Sequence, residues 1–154
     1  MRVYCDTSVM VAASLRAHFH HASAKASLAR IHRREGIGYA SSHTLAETFS
    51  VLSRMPTQPK LKPEDVLDVL EDDIIPHFVF VSLQPEDYPP AIRDLVARGL
   101  GGGRIYDLLH LRAASKLALD RIYTLNEIEW RMLAPEMASL ICAPPSVTTP
   151  TPGS

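Results

Sequence analysis

Five short apolar runs, each followed by a stretch with helical spacing, constrain this chain more than any other feature. The runs are residues 1–5, Ile37–Ser41, Val79–Leu83, Ile122–Thr124 and Ala138–Cys142. Each is too short for a buried helix and suits a strand. Strands that alternate with helices predict an α/β fold with a parallel sheet of about five strands. Parallel neighbours need a crossover, and the crossovers cover both faces.

The first run stops at Asp6, where Thr7 and Ser8 follow and apolar character returns from Val9 to Ala13. That order predicts a buried strand, a tight turn and a helix over 8–15 capped by Thr7 or Ser8. Asp6 competes for the capping role, which Asp fills often. A break is expected at Arg16–Phe19, then an amphipathic helix over His20–Glu35 with Ala24, Leu28 and Ile31 on one face. After the second strand a helix opens at Ser42 or His43. Leu45, Phe49 and Leu52 stand at helical spacing on it, and Glu47 falls in its second turn. Pro63–Asp72 has proline in the first turn and acids near the positive helix end. Pro85–Gly99 reads as a helix closed by glycine. Gly101–Gly103 reads as a hinge before a Leu- and Ala-rich helix over Arg104–Leu119. A short helix around Glu129–Leu133 precedes the fifth strand. Pro144–Ser154 is dominated by Pro, Thr and Ser and is expected to be a disordered tail on a single domain of residues 1–143.

The 154 residues are enough for one domain with a sizeable core. No apolar run approaches the roughly 20 residues that cross a bilayer, and Asp6 interrupts what a signal peptide would need. Two cysteines, Cys5 and Cys142, both in expected strands, point to reduced, buried thiols and a cytoplasmic protein. The formal net charge of −1 argues mildly against a nucleic-acid binder. Acids gathered around a metal ion would leave the remaining surface more positive than that sum. Gly101–Gly103 is not followed by Lys-Ser/Thr, which excludes a P-loop reading. His20 and His21 are sequence neighbours and share no helix face, and no finger-like Cys/His spacing exists, so zinc is not expected. Asp72 and Asp73 read as a solvated loop pair.

Asp6, Glu47, Asp107, Asn126 and Glu129 all fall at expected strand ends or early helix turns, where α/β sheets bind ligands. Carboxylates brought together repel unless a cation lies between them. Mg²⁺ suits such a site, since it takes hard oxygen ligands and keeps several waters. Bland readings stand beside these. Asp107 is three residues after Arg104, a spacing for a helical ion pair, Asn126 suits a turn, and Glu129 suits a solvated first turn.

This ordered set resembles the PIN-domain ribonucleases, most closely the VapC-type toxins of toxin–antitoxin pairs. Asp6-Thr7-Ser8 is similar to the family's opening after strand one. Leu45-Ala46-Glu47, with Leu52 and Arg54 downstream, is similar to its second acidic segment. Tyr106-Asp107-Leu108-Leu109 resembles the segment of the third acid, and Thr124-Leu125-Asn126-Glu127-Ile128-Glu129-Trp130 the closing one. Two departures are Asn126, where many members have Asp, and Glu129-Trp130 in place of Asp-Phe. The resemblance implies a three-layer α/β/α sandwich and Mg²⁺- or Mn²⁺-dependent cleavage of RNA. Asp6, Asp107, Glu47 and Glu129 would hold metal, while Thr7, Ser8 and Asn126 would contact metal waters or phosphate. Arg104 would contact substrate phosphate. It also implies an antitoxin partner and a homodimer. Two other readings remain at this stage. One is an aspartyl-phosphate phosphohydrolase, against which stands Ser8 where that class wants a second Asp. The other is a non-catalytic binding module that keeps the fold.

Overall fold

The computed structural model describes residues 1–146, so most of the expected tail, residues 147–154, lies outside the described residues. Five strands form one sheet: β1 (Arg2–Cys5), β2 (Ile37–Ser41), β3 (Phe78–Val81), β4 (Arg121–Tyr123) and β5 (Ile141–Cys142). The order is β3-β2-β1-β4-β5, and every pairing is parallel. The chain builds outward from β1 in one direction, then returns to build outward in the other. The point of reversal therefore lies between β1 and β4, where open α/β sheets form their ligand crevice.

Strand alternation divides the core. Val3, Cys5, Ala40 and Tyr123 face one layer, made by α1 (Thr7–Ser14) and α2 (His21–His32) with Leu70 and Ile74. Tyr4, Tyr39 and Ile122 face the other, made by α5 (Tyr88–Ala97), α6 (Arg104–Ser115) and α7 (Glu127–Leu133). The three layers match the expectation. A smaller cluster of Val11, Leu15, Leu52 and Val66 joins α1 to α3 (Ser42–Arg54) and α4 (Pro63–Val69). Helix α1 is buried from Val9 to Ala13, its polar residues Thr7, Ser8 and Ser14 being confined to its two ends. Gly38 permits the close approach of β2 to its cover. An added Cβ there would meet a Phe78 ring carbon at 2.7 Å and an Ile31 methyl at 2.8 Å.

Several boundaries differ from expectation for local reasons. Asp6, rather than Thr7 or Ser8, caps α1, its carboxylate accepting the Val9 N–H. The Leu- and Ala-rich helix ends at Ser115, because Leu117 and Leu119 leave the helical path to join the core on the way to β4. Phe49 is exposed, and the buried face of α3 is Thr44, Thr48 and Leu52. The fifth strand is only Ile141–Cys142, preceded by a 3₁₀ helix over Pro135–Met137 and a turn over 138–140. The Pro63–Asp72 helix continues past Val69 as a π-helical turn over Leu70–Ile74. The break after α1 is present, with turns from Arg16 to His20. Cys5 and Cys142 are free thiols, the first buried and the second partly so. Among the described residues no helix is long and apolar enough to cross a membrane.

Candidate active site

At the carboxyl end of β1 the backbone of Asp6 donates to the Tyr123 carbonyl of β4 at 3.1 Å. The Asp6 carboxylate, 5% exposed, is therefore delivered to the crevice at the reversal point. Three donors hold it. Ser8 Oγ and the Val9 N–H give to Oδ1 at 2.6 and 3.1 Å, and Thr124 Oγ1 gives to Oδ2 at 2.7 Å. The two hydroxyls are anchored in turn by accepting the Leu125 and Asn126 N–H groups at 2.9 and 3.0 Å. The loop after β4 is thus tied to the turn after β1.

Two helices bring further acids. Glu47, in the second turn of α3, receives Thr7 Oγ1 at 2.6 Å and His110 Nε2 at 2.8 Å, both on Oε2. Asp107, in the first turn of α6, receives the Trp130 indole N–H at 2.9 Å on Oδ1. Asp6, Glu47, Asp107, Asn126, Thr7 and Ser8 line one open cleft of about 670 Å³, whose wall is completed by Val11, Val51 and Leu125. Glu129 and Arg104 do not line it. They pair with each other, Nε to Oε1 at 2.6 Å, and Glu129 reaches the site through the Asn126 amide at 3.4 Å.

The acids are not electrostatically alike. Burial pushes the Asp6 carboxyl above its usual range, with its hydrogen bonds only partly offsetting that. Burial does the same at Asp107, where the Trp130 bond opposes it and the Glu129 charge adds to it. At Glu47 burial also raises, but the bonds from His110 and Thr7 win and hold the carboxyl low. Two desolvated acids and one ionised acid around open space make a site that favours a cation.

The donor set fits a hard divalent ion. It is all oxygen, and Asp107 Oδ2 and Glu47 Oε1 have no hydrogen-bond partner among the described residues. Among those residues no three acid, histidine or cysteine side chains are gathered tightly enough to hold an ion by themselves. A hard divalent ion that keeps waters of its own needs only one or two carboxylates from the protein. Thr7 and Ser8 spend their hydroxyl protons on the acids, so their first task is to orient Glu47 and Asp6.

Three histidines line the cleft that the sequence reading did not place there: His18, His20 and His110. His110 had a signal, standing one helical turn after Asp107 and hence on the same face.

This arrangement, acids from β1, α3 and α6 converging at the reversal of a five-stranded parallel sheet, has a family. The PIN domain family model matches residues 3–131, and the chain belongs to that family. Among curated proteins it is 34% identical over 111 residues to ribonuclease VapC27 of Mycobacterium tuberculosis, covering 72% of this chain and 75% of the relative. The chain is thus a homologue of VapC ribonucleases. Two solved structures share the fold. Mycobacterium tuberculosis VapC20, titled a sarcin-ricin loop cleaving toxin, aligns with a TM-score of 0.62 at 17% identity over 80% of this chain and 89% of that one. VapBC2 of Rickettsia felis, bound to a DNA fragment from its promoter, aligns with a TM-score of 0.59 at 20% identity over 86% and 92%. The family resemblance and the α/β fold read from the sequence are both borne out.

Proposed function

We propose that this chain is a metal-dependent endoribonuclease, the toxin of a toxin–antitoxin pair. The observation that carries the reading is the convergence of Asp6, Glu47 and Asp107 on one cleft at the sheet's reversal point. Homology to a VapC ribonuclease supports it. Asp6 and Asp107 hold Mg²⁺, or Mn²⁺ in its place, with Glu47 binding directly or through water. Bound there, the ion supplies an activated water and charge stabilisation at the phosphorus. The chain's own residues do the rest. Ser8 and Thr124 fix Asp6, Trp130 fixes Asp107, and Thr7 with His110 fixes Glu47. Asn126 offers its side-chain oxygen to a metal water or to phosphate. Glu129 supports Asn126, and Arg104, now paired with Glu129, exchanges that partner for substrate phosphate.

The substrate is RNA, and the partner is an antitoxin that inserts a chain segment near the acids of the cleft. A homodimer forms through α2 and α4, whose Leu67 is exposed. The protein works in the cytoplasm. The test is cleavage of total cellular RNA by purified protein with Mg²⁺, Mn²⁺ or EDTA, beside Asp6→Asn. Metal-dependent cleavage lost in the variant is the expected result. Cleavage that survives Asp6→Asn in pure protein overturns the assignment.

A further inference from the structure

We propose that His110 is the positioning residue of the site: it grips Glu47 from behind and fixes which carboxylate oxygen is left open to the cleft. The inference rests on the nuclease reading above. His110 is 3% exposed, on α6 one turn past Asp107. Its Nε2 lies 2.8 Å from Glu47 Oε2. An ionised carboxylate only accepts, so Nε2 carries a proton and donates. On the other edge, Nδ1 lies 2.9 Å from the Tyr4 hydroxyl and 3.0 Å from Ser41 Oγ. Burial drives the Tyr4 hydroxyl far above its usual range and keeps it protonated, a standing donor.

Ser41 is the N-cap of α3, the helix that carries Glu47. One imidazole therefore holds α3 at two points, its cap and its second turn. Thr7 takes the same Glu47 oxygen from the β1 side at 2.6 Å. With Oε2 held by two donors, Oε1 is the oxygen left for work. The ring also stacks on Trp130, centroids 6.0 Å apart at 24°, and Trp130 in turn holds Asp107. The stacked pair beneath the cleft thus sets two of the three acids. His110 acts through Glu47: both of its ring nitrogens are engaged by protein groups, Nε2 by Glu47 and Nδ1 by Tyr4 and Ser41.

Two substitutions separate its two edges. Gln reaches as far as Nε2 and can still donate to Glu47. Asn reaches only as far as Nδ1 and satisfies Tyr4 and Ser41 while releasing Glu47. Removing a partner of a ligating group typically costs about 10–100-fold. His110→Asn is expected to lose that much in kcat at unchanged KM for RNA, and His110→Gln to stay within about threefold of the parent. In a Glu47→Gln background the two are expected to be equal, because the group they position is gone. The rise of Tm with Mn²⁺ should shrink in His110→Asn and survive in His110→Gln. Parent-level kcat in His110→Asn, or an equal loss in the Glu47→Gln background, overturns the inference while leaving the nuclease reading intact. An inactive parent protein overturns that reading instead. Should His110→Asn fail to fold, ¹⁵N spectra of the parent decide the point without turnover. A protonated Nε2 whose signal moves on Glu47→Gln supports the inference, and one that ignores that substitution overturns it.

Discussion

Thr124 offers a sharp test of how the site is held. The side chain is fully buried. Its hydroxyl donates to Asp6 Oδ2 at 2.7 Å and accepts the Asn126 N–H at 3.0 Å. Thr124→Val keeps the shape and removes both functions. A hydrogen bond to a charged acceptor contributes about 1.5–3 kcal/mol, and stranding the Asn126 donor adds roughly 1 kcal/mol. The expected loss is therefore about 2.5–4 kcal/mol. At about 2–4 °C per kcal/mol for a chain of this size, Tm falls by about 5–15 °C. Thr124→Ser keeps both bonds and loses one methyl, a loss of about 1 kcal/mol. In an Asp6→Asn background the amide oxygen stays with Ser8 and Val9 and the amide nitrogen faces Thr124, so the charged acceptor is gone and the cost of Thr124→Val shrinks by about 1.5–3 kcal/mol, a coupling that a double-mutant cycle resolves. The measurement is urea unfolding at pH 7 in EDTA. The account fails if Thr124→Val stays within about 0.5 kcal/mol of the parent, or costs the same with Asn at position 6.

The remaining tests concern the acids and the sheet. In EDTA, Asp6→Asn is expected to match or exceed the parent in Tm, because it removes a desolvated charge while leaving the Val9 and Ser8 bonds an acceptor. The sign with pH follows from the raised carboxyls of Asp6 and Asp107. A raised group contributes stability below its unfolded value and loses it as pH rises through its folded one. The advantage of Asp6→Asn over the parent should therefore grow as pH climbs from about 4 towards neutrality, and an advantage that shrinks over that range refutes the assignment. Saturating Mn²⁺, at about 100 times its dissociation constant, should stabilise the parent by about 2.7 kcal/mol; Asp6→Asn should show little of that gain in a thermal scan. Gly38→Ala should cost about 1–3 kcal/mol, since its methyl meets Phe78 and Ile31 inside contact distance; unchanged stability would mean the covering layer yields freely.

What the sequence yielded was whatever local pattern controls. Asp6 and Asp107 each stand next to an abrupt change of periodicity, and Glu47 is the one acid of its helix. Their convergence needed only the rule that parallel strands present one end to the ligand. Strand order is different. Whether β4 lies beside β1 or beside β3 is decided by a crossover through α5 and α6, and no local pattern encodes it. His110 was hidden because a histidine within Leu108–Leu111 looks like core. Its meaning comes from Tyr4, Ser41 and Glu47, which lie between 63 and 106 positions away. Phe49 misled because helical spacing marks a face without saying whether the opposite face, Thr44 and Thr48, is the one buried. Trp130 was read as a departure from the family pattern, whereas its indole N–H gives it a tie to Asp107 that phenylalanine cannot make.

The bond between Thr124 and Asp6 closes a loop of 118 residues. Asp6 leaves the ribosome 118 residues ahead of Thr124, its partner just past β4. At about 5–20 residues per second, that gap lasts on the order of ten seconds. Every ribosome-bound nascent chain short of β4 carries the first acid without the strand that seats it. On the nuclease reading proposed above, the acids of the site stay unassembled for as long as the nascent chain is short of β4.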